Sequence, residues 1–118
     1  MAKKRTYRVP QEIKRIVQRA IEENMSRSIS QRASYKEQNG KKIPGTGMRT
    51  ARKLMSGQVD EKQLRLMSAW FARHGASEKE KEARKDKTSK ASLAFALWGG
   101  NPARSWVRMT LKQIDKDM

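Results

Sequence analysis

The single histidine, His74, closes the run Trp70-Phe71-Ala72-Arg73-His74-Gly75, and histidine is the side chain best suited to general-base or metal-binding work near neutral pH. Neither use finds partners in the sequence. Cysteine is absent and there is no second histidine, so a usual zinc set cannot be assembled. No serine stands in a nucleophile elbow, which leaves a Ser/His/Asp triad without local support. The plain reading of His74 is a helix-end residue favoured by the helix dipole and packed at the edge of the core. No catalytic residue, metal ligand or cofactor is expected, and the chain reads as a non-enzyme.

A second candidate is the stretch Gly40-Lys41-Lys42-Ile43-Pro44-Gly45-Thr46-Gly47, a glycine-rich segment leading into a helix. Backbone amides and the helix dipole favour an anion at such a place. The Gly-Lys-Ser/Thr ending of a nucleotide-binding Walker loop is missing, so a flexible loop is the simpler reading. Any ligand is expected to be a nucleic-acid phosphate ahead of a free nucleotide.

The strongest signal is charge. Lys and Arg number 28 against 12 Asp and Glu, a formal net charge of +16 on 118 residues. So much like charge opposes compaction unless an anion relieves it. Residues 1–53 carry 15 of the cations and only 4 acids. Each cation that meets a phosphate releases condensed counterions, so DNA or RNA is the expected partner. Backbone contacts are expected from Lys3, Lys4, Arg5, Arg8, Lys14, Arg15, Arg19, Lys41, Lys42, Arg49, Arg52 and Lys53. Anionic lipid competes for the same charge. No run approaches the roughly 18 apolar residues that span a bilayer, and no apolar segment follows the basic start MAKKRTYRVP. The protein is therefore expected to remain inside the cell that makes it, without a membrane partner.

The elements that would carry these residues read as all-α, a small helical bundle with a helix-turn-helix-like pair. Residues 1–9 read as a flexible basic tail and residues 10–118 as a single helical domain. Ile13, Ile16, Val17, Ala20 and Ile21 recur at helical spacing and place a helix from about Pro10 to Met25. Residues 26–47 give no clear period, and Asn39 to Gly47 reads as a loop. Met48 to Ser56 reads as a short helix ended by Gly57, and Asp60 can cap a second helix that runs to His74 and Gly75. Lys62, Arg65 and Arg73 on that second helix could read bases. The same helix carries Leu64, Leu66, Met67, Trp70 and Phe71, which argues for a core helix instead. Residues 76–90 have no large apolar side chain and form a charged connector, either a solvated helix or a flexible link. Ser92 to Trp98 fits an apolar helix or a buried strand. Asn101 and Pro102 then start a last helix to about Asp115, with Val107, Leu111 and Ile114 inward and Trp106 beside them. Trp70, Trp98 and Trp106 sit in apolar runs and are expected in the core, not as base-stacking platforms.

Three segments together resemble a family of short phage and prophage proteins and modules. They are Gly47-Met48-Arg49-Thr50-Ala51-Arg52-Lys53-Leu54 through Gly57, Phe71-Ala72-Arg73-His74, and Leu97-Trp98-Gly99-Gly100 followed by a helix containing Trp106. Order and spacing match across residues 7–110. The resemblance implies a phage origin and a place within or near head-assembly proteins, and it implies no particular activity. This chain departs from the family at Asn101, where an acid is usual, and at Gly75-Ala76-Ser77, where an acid followed by Lys is usual. Phe71, Arg73, His74, Trp98, Gly99, Gly100 and Trp106 then form mainly a packing signature. Gly99 and Gly100 would let the chain reverse, and Trp98 and Trp106 would close the turn against the helix of Phe71.

Composition and resemblance lead to one expectation, a phage-type nucleic-acid-binding accessory protein that acts through a cationic surface on phosphate. Its place would be the cytoplasm of the host cell, with association to the virion. The rival expectations are a head-assembly protein docked on a capsid partner and an inhibitor bound to a host protein.

Overall fold

A computed structural model describes residues 5–75 and 77–117. Lys3 and Lys4 lie outside the described residues. The chain is mostly helical but not all-α, because two small antiparallel ribbons are built into it. The elements run β1 (Thr6–Arg8), α1 (Gln11–Ser26), β2 (Tyr35–Gln38), β3 (Lys41–Pro44), α2 (Thr46–Met55), β4 (Gln58–Asp60), α3 (Glu61–His74), α4 (Glu78–Arg84), α5 (Lys90–Leu97) and α6 (Gly100–Lys116).

The first ribbon corrects the expected tail. Thr6, Tyr7 and Arg8 pair with Asp60, Val59 and Gln58, the Thr6 hydroxyl donates to Gln58 Oε1 at 2.9 Å, and Val9 donates its amide to Gly57 O at 2.8 Å. Val9 and Val59 are both buried and Tyr7 packs against the core, so this segment is tied to the fold while Thr6 and Arg8 stay exposed. The second ribbon corrects the expected loop. Asn39 and Gly40 hold φ of 52° and 77° between paired Gln38 and Lys41. Two successive left-handed residues match the right-handed twist of a tight hairpin, which is why Asn-Gly sits there.

Helix α1 buries Ile13, Val17, Ala20 and Asn24 on one stripe, with Pro10 just before its first turn. It packs on α2 and α5, while α3 packs chiefly on α6. Helices α2 and α3 are therefore not a mutually packed helix-turn-helix pair. Strand β4 separates them; both bury residues in the common core, and a polar bridge joins them beside it, in which Gln63 Nε2 donates to Thr50 Oγ1 at 3.3 Å and Lys53 Nζ donates to Gln63 Oε1 at 3.3 Å. Asp60 caps α3 by accepting from the Gln63 amide at 2.9 Å.

The connector is the solvated helix α4, capped by Ser77, and the apolar segment after it is the helix α5, capped by Ser89, not a strand. Gly99 at φ 102° and Gly100 at φ 67° turn the chain into α6, and a Cβ on Gly99 would collide with the Ala103 methyl. Only glycine tolerates both the dihedral and the contact. Val107, Leu111 and Ile114 of α6 are buried as their spacing predicts. The core joins these to Ile13, Val17, Met48, Leu54, Leu64, Met67, Phe71, Leu93, Leu97 and Trp98, each side chain of this size contributing about 1.5–3 kcal/mol by burial. Among the described residues no helix is long and apolar enough to cross a membrane.

Candidate functional site

The structure places the ten described candidate cations in three groups. Arg8, Lys14, Arg15 and Arg19 belong to β1 and α1, Lys41 and Lys42 to β3, and Arg49, Arg52 and Lys53 to α2, with Arg5 just before β1. All are exposed except the half-buried Lys14. Arg15 and Arg19 stand four residues apart and share one stripe of α1, opposite its buried face. Arg8 and Lys14 line a groove with Ser56, Gly57 and Gln58, where the ribbon and the start of α1 meet the end of α2. The last turn of α2 carries Arg52 and Lys53.

These cations have one property in common: among the described residues, none of the ten is in an ion pair. Five of the described acids pair with cations outside this set. Glu23 pairs with Arg27, Glu61 and Asp115 both pair with Arg65, Glu78 with Lys81, and Glu82 with Lys85. Asp115 and Glu61 hold Arg65 above the ordinary arginine range. Arg5 is set apart from the other nine, because it stands over a depression that also contains Asp60, Glu61 and Asp117.

The glycine-rich stretch is not one loop. Lys41 and Lys42 are strand residues, the Gly45 amide donates to Ser34 O at 2.6 Å, and Gly47 is buried inside α2. No phosphate-wrapping loop exists there, although its far end does lead into a helix N-terminus.

Of the residues expected to form a packing signature, Phe71, Arg73, His74 and Trp98 gather on the other side of that N-terminus, while Gly99 and Gly100 lie against Ala103 and the α1 residues Ile13 and Ile16. Trp98 is buried and stacks on Trp70 with ring centroids 4.5 Å apart and planes 10° from parallel. Phe71 meets Trp70 edge-on at 5.4 Å and Phe95 at 5.6 Å. His74 lies 4.7 Å from Trp70, and its Nδ1 is 2.7 Å from Glu80 Oε1. Arg84 donates to the carbonyls of His74 and Gly75 at 3.0 and 3.4 Å and covers the Phe95 ring at 4.3 Å, so α4 holds the end of α3 in place. A cleft of about 540 Å³ opens beside these groups, lined by Ser34, Lys36, Thr46, Gly47, Trp70, Arg73, His74, Glu80 and Trp98 among others. Trp106 is not part of it. It lines a shallow groove with Pro10, Ile13, Pro102 and Met109, beside the start of α1, and among the described residues it pairs with no other ring.

Sequence reasoning missed Ser34, Glu80 and Arg84. Ser34 holds φ 57° and lies in the segment without a readable period, while Glu80 and Arg84 sit in a connector that looked merely solvated. The spacing from His74 to Glu80 and Arg84 across a short turn was the one signal that could have found them. Among the described residues no group of His, Asp and Glu is placed to hold a metal ion.

No protein-family model matches this chain, and neither a curated protein nor a solved structure matches it.

Proposed function

We propose that the protein is a non-enzymatic nucleic-acid-binding accessory protein, of the phage type that its motif set resembles, acting on the phosphate backbone through the cations of β1, α1, β3 and α2. The observation that carries this reading is the absence, among the described residues, of ion pairs at those positions, while Glu61, Glu78, Glu82 and Asp115 neutralise cations elsewhere. Unneutralised surface cations attract a polyanion without reading its bases. Base reading by a recognition helix finds no support, since α3 packs chiefly on α6 and has Leu64, Met67 and Phe71 in the core.

The test is titration of a labelled duplex, a single strand and an RNA hairpin of equal length at about 50 and 200 mM salt. A loss of roughly 10³–10⁵ in affinity between these salts is expected if six to ten phosphates are contacted. Weak binding to all three probes would reject the reading and favour a protein partner, capsid or host, for the same charge.

A further inference from the structure

We propose that the cleft between the start of α2 and the Trp70–Trp98 stack binds a phosphate monoester, the phosphorylated end of a nucleoside. The site is independent of the cationic face; only the choice of a strand end as one source of the phosphate rests on the nucleic-acid reading.

Three kinds of donor converge there. Helix α2, residues Thr46–Met55, starts after Gly45 with no side chain among the described residues capping its first turn. The amides of that turn have no intrahelical acceptors and carry the positive end of the dipole. The second donor is Trp98. Its side chain is 2% exposed, and its indole nitrogen stands 3.1 Å from the point where a Cβ on Gly47 would lie. Among the described residues that N–H has no acceptor, yet no fully enclosed side-chain nitrogen or oxygen is left without one, so the indole N–H opens on the cleft it lines. A buried indole ordinarily finds a partner, and the nitrogen of this one stands beside the first turn of α2. The third is the Ser34 hydroxyl, which a Cβ on Gly47 would strike. Ser34 is held in the left-handed region at φ 57° while its carbonyl accepts the Gly45 amide at 2.6 Å, which keeps the hydroxyl at the helix start. Glycine at position 47 is what lets Ser34 and Trp98 approach the helix backbone.

The charge around the cleft agrees. Lys36 and Arg73 line it, and Glu80, the acid in its wall, directs Oε1 at His74 Nδ1, 2.7 Å away. Several neutral donors with two cations suit a dianion presenting three oxygens better than a carboxylate presenting two. The remaining volume, walled by Tyr35, Leu66 and Trp70, has room for the sugar and base attached to that phosphate.

Calorimetric titration of the full chain at constant ionic strength tests this, with inorganic phosphate, a nucleoside 5′-monophosphate and the unphosphorylated nucleoside as ligands. In parallel, 5′-phosphorylated and 5′-hydroxyl duplexes are compared by anisotropy. Saturable binding of phosphate and the monophosphate, with none of the nucleoside, is expected. A preference for the phosphorylated duplex identifies a strand end as the source, and binding of the monophosphate without that preference identifies a free nucleotide. Trp98→Phe keeps a ring but removes the N–H, and the exposed Arg73→Gln removes a charge. Each is expected to weaken phosphate binding by about tenfold, the usual effect of a hydrogen bond to a charged group. Absence of any saturable phosphate response, or a response unchanged in both variants, overturns the site. Salt-sensitive binding of the hydroxyl-ended duplex that persists in that case leaves the cationic face standing.

Discussion

The two halves of the chain carry unequal excess charge and pair it to different degrees. Residues 54–118 hold 13 cations and 8 acids, and the structure pairs Arg65, Lys81 and Lys85 of this half with carboxylates on the same or a neighbouring helix. Residues 1–53 hold 15 cations and 4 acids, and most of those cations end in solvent. Exposed ion pairs add little stability in themselves. Net charge matters more: 15 cations against 4 acids leave residues 1–53 at +11, and 13 against 8 leave residues 54–118 at +5, so the larger excess left to be neutralised from outside lies in the first half. The aromatic cluster lies where the halves join, with Trp98 and Trp70 beside the start of α2.

That division can be broken most severely at the join. Trp98→Ala removes the stacked ring and leaves a void beside Met48 and Leu97 of the same core cluster, and a loss of about 3–5 kcal/mol is expected in denaturant unfolding. Asn24→Ala should come next. Buried Asn24 accepts the Ala33 amide at 2.8 Å and donates to the Ala33 carbonyl at 3.0 Å, pinning the segment that delivers Ser34 to α2. Two backbone groups would be left without their partner, so a loss of about 2 kcal/mol or more is expected, with increased amide exchange at Ala33.

Changes to the charged surface sharpen the contrast with much smaller effects on folding. Replacing Arg15, Arg19 and Arg52 together by Gln should leave stability within about 0.5 kcal/mol, since these side chains make no ion pair among the described residues. A marked fall in melting temperature would show that they serve the fold. The smallest effect is expected at the turn after α4. The Thr88 hydroxyl, and then its amide, hold the Asp86 carboxyl below the usual carboxylate range. A carboxyl lowered in the folded state stabilises above its unfolded value, and that contribution is lost as pH falls through the folded value. Asp86 is fully exposed, so acidification should loosen this turn with little change in global unfolding, and Thr88→Val should move the Asp86 titration, followed by NMR, toward the ordinary range.

Legibility followed the strength of the local pattern. Helices α1, α3 and α6 show in the spacing of Ile13, Val17 and Ala20, of Leu64, Met67 and Phe71, and of Val107, Leu111 and Ile114, because one-sided burial imposes that period. Strands β1 and β4 do not show, since three residues are too few to alternate and their pairing joins positions about fifty residues apart. The hairpin β2–β3 did carry a local mark in Asn39-Gly40, but its strands are polar and half-exposed, so hydropathy gave no support. That the cations would lie at the surface was readable from the sequence, because charged side chains are seldom buried unpaired. The cleft was not, because Ser34, Gly47, His74, Glu80 and Trp98 come from five separate stretches that only the tertiary fold brings together.

The central claim, an external polyanion for the N-terminal charge, is tested most directly by the salt dependence of duplex affinity in three proteins. These are the unaltered chain, the Arg15, Arg19 and Arg52 to Gln variant, and a Lys81 and Lys85 to Gln variant that removes cations already paired with Glu78 and Glu82. The first variant should lower the slope of log affinity against log salt by about 2 to 3, near 0.9 for each phosphate that is no longer neutralised, and the second should leave it unchanged. Equal slopes in all three, or a larger change in the Lys81 and Lys85 variant, would contradict the account.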